Sequence, residues 1–368
     1  PIVLLGETWW SVPTWRFPLH GDGVERPIGP DAGLEDYVRL RKAQGFNSVG
    51  MLAALPNWAS DGANRRLQTD DGVWLRQAWG KPGTETAMDM HNEGGRPFLF
   101  PGKVPGFEEI FPDLERINPD YFKVLDKKID YLNAQGFVPF IEVSRRDSGQ
   151  PWQTYYEWPD SYTRYVQFVF ARYQANIMLF SPIHYDDSNG TIPGREYNEP
   201  INAVVDRYGR PPFGTLQTAN CSPSTLANFG GPDECRWLDV HQIGNLREHH
   251  CYWYLTEIYH NEPAKPALNG EPYYAGHPES MPPQQDKDGH WYRPGLHAPG
   301  IAGGTEDDNR NCRSGWYGSL LSGALGGIIY GAEGLWSGNN EEDTVYKMWD
   351  SLQFSSSDQF GHLRTFAF

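Results

Sequence analysis

The sequence predicts an α/β fold, a (β/α)8 TIM barrel, from three observations. Eight short apolar runs recur along the chain, and most are followed by a helical pattern. No Gly-x-Gly-x-x-Gly follows the first run, so an open dinucleotide-binding sheet has no support. The two longest irregular stretches, residues 56–117 and 272–307, follow strand ends, where a barrel carries its long functional loops. Residues 1–368 are therefore read as a single catalytic barrel domain with those stretches as insertions at its C-terminal rim.

The elements fall in order. Strand one is Ile2–Gly6, followed by a helix over Leu34–Gln44 with Leu34, Tyr37, Val38 and Arg41 on one face. Strand two is Phe46–Leu55. A helix repeating Phe122, Leu125, Ile129 and Leu132 precedes strand three, Val138–Val143. The helix over Tyr162, Val166, Val169, Phe170 and Tyr173 leads to strand four, Asn176–Ile183. Strand five is Phe213–Thr218, strand six Trp237–Ile243, and a helix over Leu246–Tyr259 precedes strand seven, Pro266–Glu271. A Gly/Ala/Leu-rich helix around Arg313–Leu325 precedes strand eight, Gly327–Gly331, and Asp343–Leu352 closes the ring as a last helix.

Composition narrows the function. A net charge of −16 argues against nucleic acid and against anionic membrane surfaces. No apolar run approaches the roughly 18 residues of a membrane span. The 14 Trp, 20 Tyr and 18 Phe exceed the needs of a core, so we expect about a third of them in a carbohydrate cleft. Cys221, Cys235, Cys251 and Cys312 lack metal-ligand spacing. Cys221 and Cys235 bracket a Gly/Pro/Asn-rich loop and either pair as a disulfide or stay as buried thiols. The chain begins at Pro1 without a Met. We expect a removed leader and a periplasmic or extracellular location.

Barrel chemistry comes from strand C-termini. Lys265-Pro-Ala-Leu-Asn-Gly-Glu-Pro-Tyr-Tyr274 delivers Glu271 to the end of strand seven beside two tyrosines. A carboxylate beside aromatic rings suits sugar hydrolysis, and Glu271 is the candidate nucleophile. Its partner is sought at the end of strand four, in His184-Tyr-Asp186-Asp187, where repulsion between adjacent carboxyl groups favours holding a proton. Asp186 is the candidate acid/base, with Asp187 behind it. The Asp-Asp-Ser-Asn-Gly run also has the composition of a turn that caps the next element, or of a calcium site. Asn198-Glu-Pro200 and Asn261-Glu-Pro263 follow no apolar run directly and read as loop punctuation, with Glu199 a remote alternative acid.

Other strand ends supply candidate sugar-binding groups: Glu7, Trp9 and Trp10; Glu142 and Arg145; His184; Gln217 and Asn220; Asp239 and His241; Tyr273; Glu333 and Trp336. Each is also explained by a hydrogen bond inside the barrel. Arg145-Arg146 suits an anionic sugar, or an ion pair with a nearby Asp. No residue set calls for a cofactor or a metal, and the expected partner is a carbohydrate.

The chain resembles the apiosidase-like glycoside hydrolases, long catalogued as a domain of unknown function with a collagen-binding-like tail. The resemblance rests on Leu5-Gly-Glu-Thr-Trp-Trp10, Arg41-Lys-Ala-Gln-Gly-Phe-Asn47, Asn118-Pro-Asp-Tyr-Phe-Lys-Val-Leu-Asp126 and Asn133-Ala-Gln-Gly-Phe-Val-Pro139. It continues through Trp237-Leu-Asp-Val-His241, Asn269-Gly-Glu-Pro272, Ser319-Leu-Leu-Ser-Gly-Ala324 and Tyr330-Gly-Ala-Glu-Gly-Leu-Trp336. It implies a (β/α)8 barrel and retaining hydrolysis, with a Glu nucleophile on strand seven, carried onto Glu271, and an Asp acid/base ending strand four. The family usually ends that strand with Gly-Gly-Asp, where this chain has Pro182-Ile183-His184. Either a small shift brings Asp186 into the role or the acid has changed. Glu7 stands where the family more often has Asp. These departures imply a divergent subgroup whose sugar need not be apiose, with plant or algal cell-wall polysaccharide, anionic or not, as the expected substrate.

Three alternatives remain. A barrel that binds glycan without cleaving it differs in whether Asp186 or Asp187 approaches Glu271. A polysaccharide lyase would draw its base from Tyr273 or Tyr274. A metal-dependent hydrolase would want His-x-His after strand one, where this chain has Glu7-Thr-Trp.

Overall fold

The computed structural model describes residues 3–21, 33–54, 67–75, 91–186, 192–210, 215–245, 253–277, 284–285, 291–292, 302–339 and 346–367. Eight parallel strands form one sheet: β1 Leu4–Thr8, β2 Ser48–Leu52, β3 Val138–Glu142, β4 Leu179–Ser181, β5 Leu216–Gln217, β6 His241–Ile243, β7 Ala267–Asn269 and β8 Gly327–Tyr330. Their order in the sheet is β6-β7-β8-β1-β2-β3-β4-β5. The ring closes where the Gln217 carbonyl at the end of β5 accepts from the backbone of Asp239 (2.9 Å) and Val240 (3.0 Å), just before β6. This is a (β/α)8 TIM barrel, and all eight strands fall within or beside the predicted runs.

Helices α1 Leu34–Ala43, α2 Pro119–Ala134, α3 Asp160–Tyr173, α4 Asn198–Tyr208, α5 Trp253–Tyr259 and α6 Glu306–Leu321 pack outside the sheet. The start of α2 is written into the sequence: Asn118 caps the backbone of Asp120 at 3.1 Å, and Pro119 occupies the first turn, where its missing N–H is harmless. Helix α4 corrects the reading of Asn198-Glu-Pro200 as loop punctuation. These residues open a helix, again with Pro in the tolerated first turn, and Glu199 is exposed there, away from any strand end. After β8 the chain ends in short helices, Met348–Ser351, Ser355–Phe360 and His362–Ala367. Within the insertions, hairpins pair Leu67–Gln68 with Trp74–Leu75, Phe98–Leu99 with Asp113–Ile117, and Gln284–Gln285 with Trp291–Tyr292.

Strand parity sorts the core into two layers. Leu4, Phe140, Leu179, Val240, Leu268 and Ile329 fill the barrel interior. Their sequence neighbours Leu5, Ile141, Phe180, Ala267 and Ile328 belong to the larger core beneath the helices. Side chains alternate along a strand, so this parity also decides which strand-end residues face the barrel mouth.

Candidate active site

Glu271 follows β7 and is fully buried. Its backbone N–H donates to the Asn269 side chain at 3.2 Å, and Asn269 in turn donates to Ser319 of α6 at 2.9 Å. Gly270 between them lets the Gln242 side chain lie close: a Cβ there would come within 1.9 Å of the Gln242 amide nitrogen and displace it. The Tyr274 hydroxyl donates to Glu271 Oε1 at 3.1 Å and lies 3.1 Å from the Thr8 hydroxyl of β1.

Opposite stand the ends of β3 and β4. Glu142 is the last residue of β3 and shares Phe140's inward parity. Its Oε2 lies 2.6 Å from Nδ1 of His184, whose Nε2 is 3.1 Å from Oδ1 of Asp186. Arg145 reaches Asp186 Oδ2 at 3.2 Å, Arg146 pairs with Oδ1, and both guanidinium groups are buried. Asn245 holds the Asp186 carbonyl at 2.9 Å. Burial, and next the negative charge of Glu271, hold the Glu142 carboxyl well above the usual carboxylate range; a hydrogen bond from Asn220 and the charge of Arg145 oppose this.

Ligand atoms of His184, Asp186 and Glu271 all lie within 4.8 Å of one another. These are the donor types of a small metal site, but the two guanidinium groups already seated on Asp186 would repel a cation. The arrangement can do acid–base and nucleophilic work: one carboxyl from β7, one from the β4 loop, and a buried Glu–His pair beside them.

Trp10 lies edge-on to His184, ring centroids 4.7 Å apart, and Trp336 lies edge-on to Trp10 at 5.4 Å. Glu333 accepts from Trp336 at 3.0 Å and pairs with His277 at 2.6 Å. Trp336, Glu333 and His277 are partly exposed, which sets this group at the mouth.

Several sequence expectations are corrected. Glu7 faces the helices, because Leu5 and Glu7 share the outward parity of β1; Arg41 of α1 grips both its oxygens at 2.6 and 2.7 Å. Trp9 donates to Glu7 at 2.7 Å, packs on Phe17 and Tyr37, and is core. Tyr273 points to α6 and donates to Asp308 at 2.9 Å, so Tyr274 is the tyrosine beside Glu271. Asp239 and His241 lie at the start of β6, the end opposite the site, because that strand begins only at His241. There Asp239 pairs with Arg210, and His241 Nδ1 lies 2.9 Å from the Thr225 hydroxyl. Gln217, at the end of β5, is in register with Phe180 and shares its outward parity, so its buried side chain points away from the barrel interior. Cys221, Cys235 and Cys312 are free thiols, so Cys221 and Cys235 do not pair. Asp187 and residues 246–252 lie outside the described residues.

A closed (β/α)8 barrel with carboxyl groups converging at the C-terminal ends of β4 and β7 is the architecture of a glycosidase. Residues 1–367 match the family described as Apiosidase-like, catalytic domain; the chain belongs to that family and is an enzyme of the glycosidase class. Among solved structures it is similar to a glycoside hydrolase family 5 protein from Bacteroides vulgatus ATCC 8482, with a TM-score of 0.62 and 17% identity over 100% of this chain and 68% of that one. A GH113 β-1,4-mannanase superposes with a TM-score of 0.55 at 12% identity, covering 99% of both chains. A family 5 mannosidase from Rhizomucor miehei, solved with mannosyl-fructose, gives 0.55 at 11% identity over 100% of this chain and 93% of that one. At these identities the likeness speaks for the fold. No curated protein matches the chain in sequence. Among the described residues no helix is long and apolar enough to cross a membrane.

Proposed function

We propose that this chain is a retaining glycoside hydrolase acting on plant or algal cell-wall polysaccharide or its oligosaccharides. Glu271 serves as nucleophile and Asp186 as acid/base. The observation carrying this reading is that a carboxylate oxygen of Asp186 comes within 4.8 Å of one of Glu271. Retaining enzymes hold their two carboxyl groups about 5–5.5 Å apart, whereas inverting enzymes leave about 6.5–9.5 Å for a water. In the first step Glu271 attacks the anomeric carbon while Asp186 protonates the departing oxygen. In the second, Asp186 takes a proton from water, which releases the sugar from Glu271.

Trp336, partly exposed and backed by the buried Trp10, offers its ring to the sugar, with Glu333 and His277 as hydrogen-bonding neighbours. A uronate substrate would have to share Arg145 or Arg146 with Asp186, so a neutral sugar at the cleavage point fits this arrangement better. The substrate class implies action outside the cytoplasm. The test is hydrolysis of a panel of plant and algal polysaccharides by wild type and Glu271→Gln, with products resolved by size. Cleavage that disappears in the variant supports the reading; cleavage that persists overturns it.

A further inference from the structure

We propose that Asp308 is a positioning residue for sugar binding: it clamps the loop after β7 in the shape that lets His277 and Glu333 hold Trp336. The proposal rests on the reading of Trp336 as a platform for the sugar and deepens it. It uses neither the nucleophile nor the acid assignment.

Asp308 lies in the first turn of α6, fully buried and apart from the candidate catalytic carboxyl groups. One of its carboxylate oxygens serves the helix. Oδ2 accepts from the backbone of Gly304 at 2.8 Å, while the Thr305 side chain caps the Asp308 N–H at 3.4 Å, a variant of the capping box. The other oxygen reaches off the helix. Oδ1 accepts from the backbone of Gly276 at 2.8 Å and from the Tyr273 hydroxyl at 2.9 Å, both in the loop after β7. Helix capping alone gives no reason for this second pair of bonds. Gly276 and Gly304 take φ of 75° and 78°, where glycine is favoured, and so both N–H groups reach one carboxylate. Among the described residues no cation pairs with Asp308. A buried carboxylate without a cation depends on its hydrogen-bond donors, so the loop and Asp308 hold each other in place.

From this clamp the chain runs directly to the platform. Past the ends of β7 and β8, Ala275 and Ala332 stay paired: Ala275 N–H donates to the Gly331 carbonyl at 2.9 Å, and Glu333 N–H to the Ala275 carbonyl at 2.9 Å. This register sets His277, the residue after Gly276, beside Glu333. A carboxylate only accepts, so His277 Nδ1 carries the hydrogen that Glu333 Oε1 accepts at 2.6 Å. Oε2 accepts from Trp336 Nε1 at 3.0 Å. Both oxygens of Glu333 are thus committed to rings, which fixes the carboxylate and through it the Trp336 indole. Trp10 backs that indole edge-on at 5.4 Å, and its own N–H donates to the Trp336 carbonyl at 3.0 Å. Releasing Gly276 from Asp308 frees His277, and with it a contact that orients Glu333 from the β7 side.

The test uses the full chain with 15N-labelled tryptophan, observed by NMR, and Trp336→Phe identifies the Trp336 indole signal. In wild type we expect a downfield indole N–H that exchanges slowly with water. Asp308→Asn keeps the size of the side chain but turns an amide donor against one of the loop's N–H groups. In that variant and in His277→Ala the Trp336 signal should move upfield and exchange about threefold to tenfold faster. A signal unmoved in either variant would overturn the proposal. Where Asp308→Asn does not fold, Tyr273→Phe removes a single donor from Oδ1 and is read in the same way. On whichever polysaccharide wild type cleaves, Asp308→Asn should raise KM about threefold to tenfold with kcat nearly unchanged, because a sugar platform acts on substrate and transition state alike. That rise should shrink to less than about twofold when Trp336 is already alanine. Losses that multiply in the double variant would mean that Asp308 acts without Trp336, and would overturn the proposal too. Persistent cleavage by Glu271→Gln would sink the nucleophile assignment instead, and the indole signal, which needs no turnover, would still decide the clamp.

Discussion

The Tyr274 hydroxyl bridges Glu271 and Thr8, 3.1 Å from each, and so ties the candidate nucleophile to the end of β1. Donation to Oε1 fixes the carboxylate's rotation. A hydrogen bond to a charged group is worth about 1.5–3 kcal/mol. Tyr274→Phe should therefore lower kcat roughly tenfold to a hundredfold with little change in KM. The ring has room only because residue 331 is glycine, where a Cβ would sit 2.1 Å from a ring carbon. Gly331→Ala should lose about 1–3 kcal/mol of stability and activity with it, checked by thermal melts beside kinetics.

Asp186→Asn keeps the shape of the proposed acid/base and removes its proton. Cleavage of a natural glycosidic bond should fall by about 10²–10⁴-fold. A substrate whose leaving group needs no proton, such as a nitrophenyl glycoside of the same sugar, should lose much less in the bond-breaking step. Comparing the two by initial rates and by burst kinetics checks the assignment; equal losses on both would count against it.

The Glu7–Arg41 pair is a structural prediction. It is bidentate and buried, and Arg41 also donates to the Leu352 carbonyl at 2.9 Å, joining β1, α1 and the C-terminal helices. Burial pushes the Glu7 carboxyl up even against the opposing pull of Arg41. Glu7→Ala would strand the guanidinium without its partner, and we expect about 3–5 kcal/mol of destabilisation in denaturant melts.

His241 makes a prediction about pH. Burial, and then the positive charge of Lys265, lower its pKa to about 4 from the ordinary 6.5. The folded state favours neutral imidazole, so its contribution is complete above pH 6.5 and is lost as the pH falls toward about 4. The whole effect is roughly 3 kcal/mol at most. His241→Asn should flatten the fall of the melting temperature across that window, compared with wild type in the same buffers.

Much of this was legible in the sequence because barrel strands announce themselves as short apolar runs between helical repeats. Glu271 stood out for the same reason: Ala267-Leu-Asn-Gly ends in a turn that points a carboxylate at the mouth. Side-chain parity was harder to read. The predicted first strand stopped at Gly6, whereas β1 runs to Thr8, which puts Glu7 among the helices. The predicted sixth strand began at Trp237, four residues before β6, and so carried Asp239 and His241 to the wrong end. Tyr273 and Tyr274 differ only in which side of the turn each takes, a distinction set by Gly331 and Asp308 far along the chain. Glu142, His184 and Asp186 each stand at a recognisable strand end in the sequence. Their alignment depends on the stagger of β3 against β4, a tertiary fact with no local signature.

The central claim is that Glu271 and Asp186 act as a retaining pair. The most direct measurement is proton NMR of the first anomer released from a polysaccharide the enzyme cleaves, recorded before mutarotation. The account predicts that the new sugar end keeps the configuration of the bond that was broken. Release of the inverted anomer would contradict it, because inversion needs a water between carboxyl groups that stand too close together here.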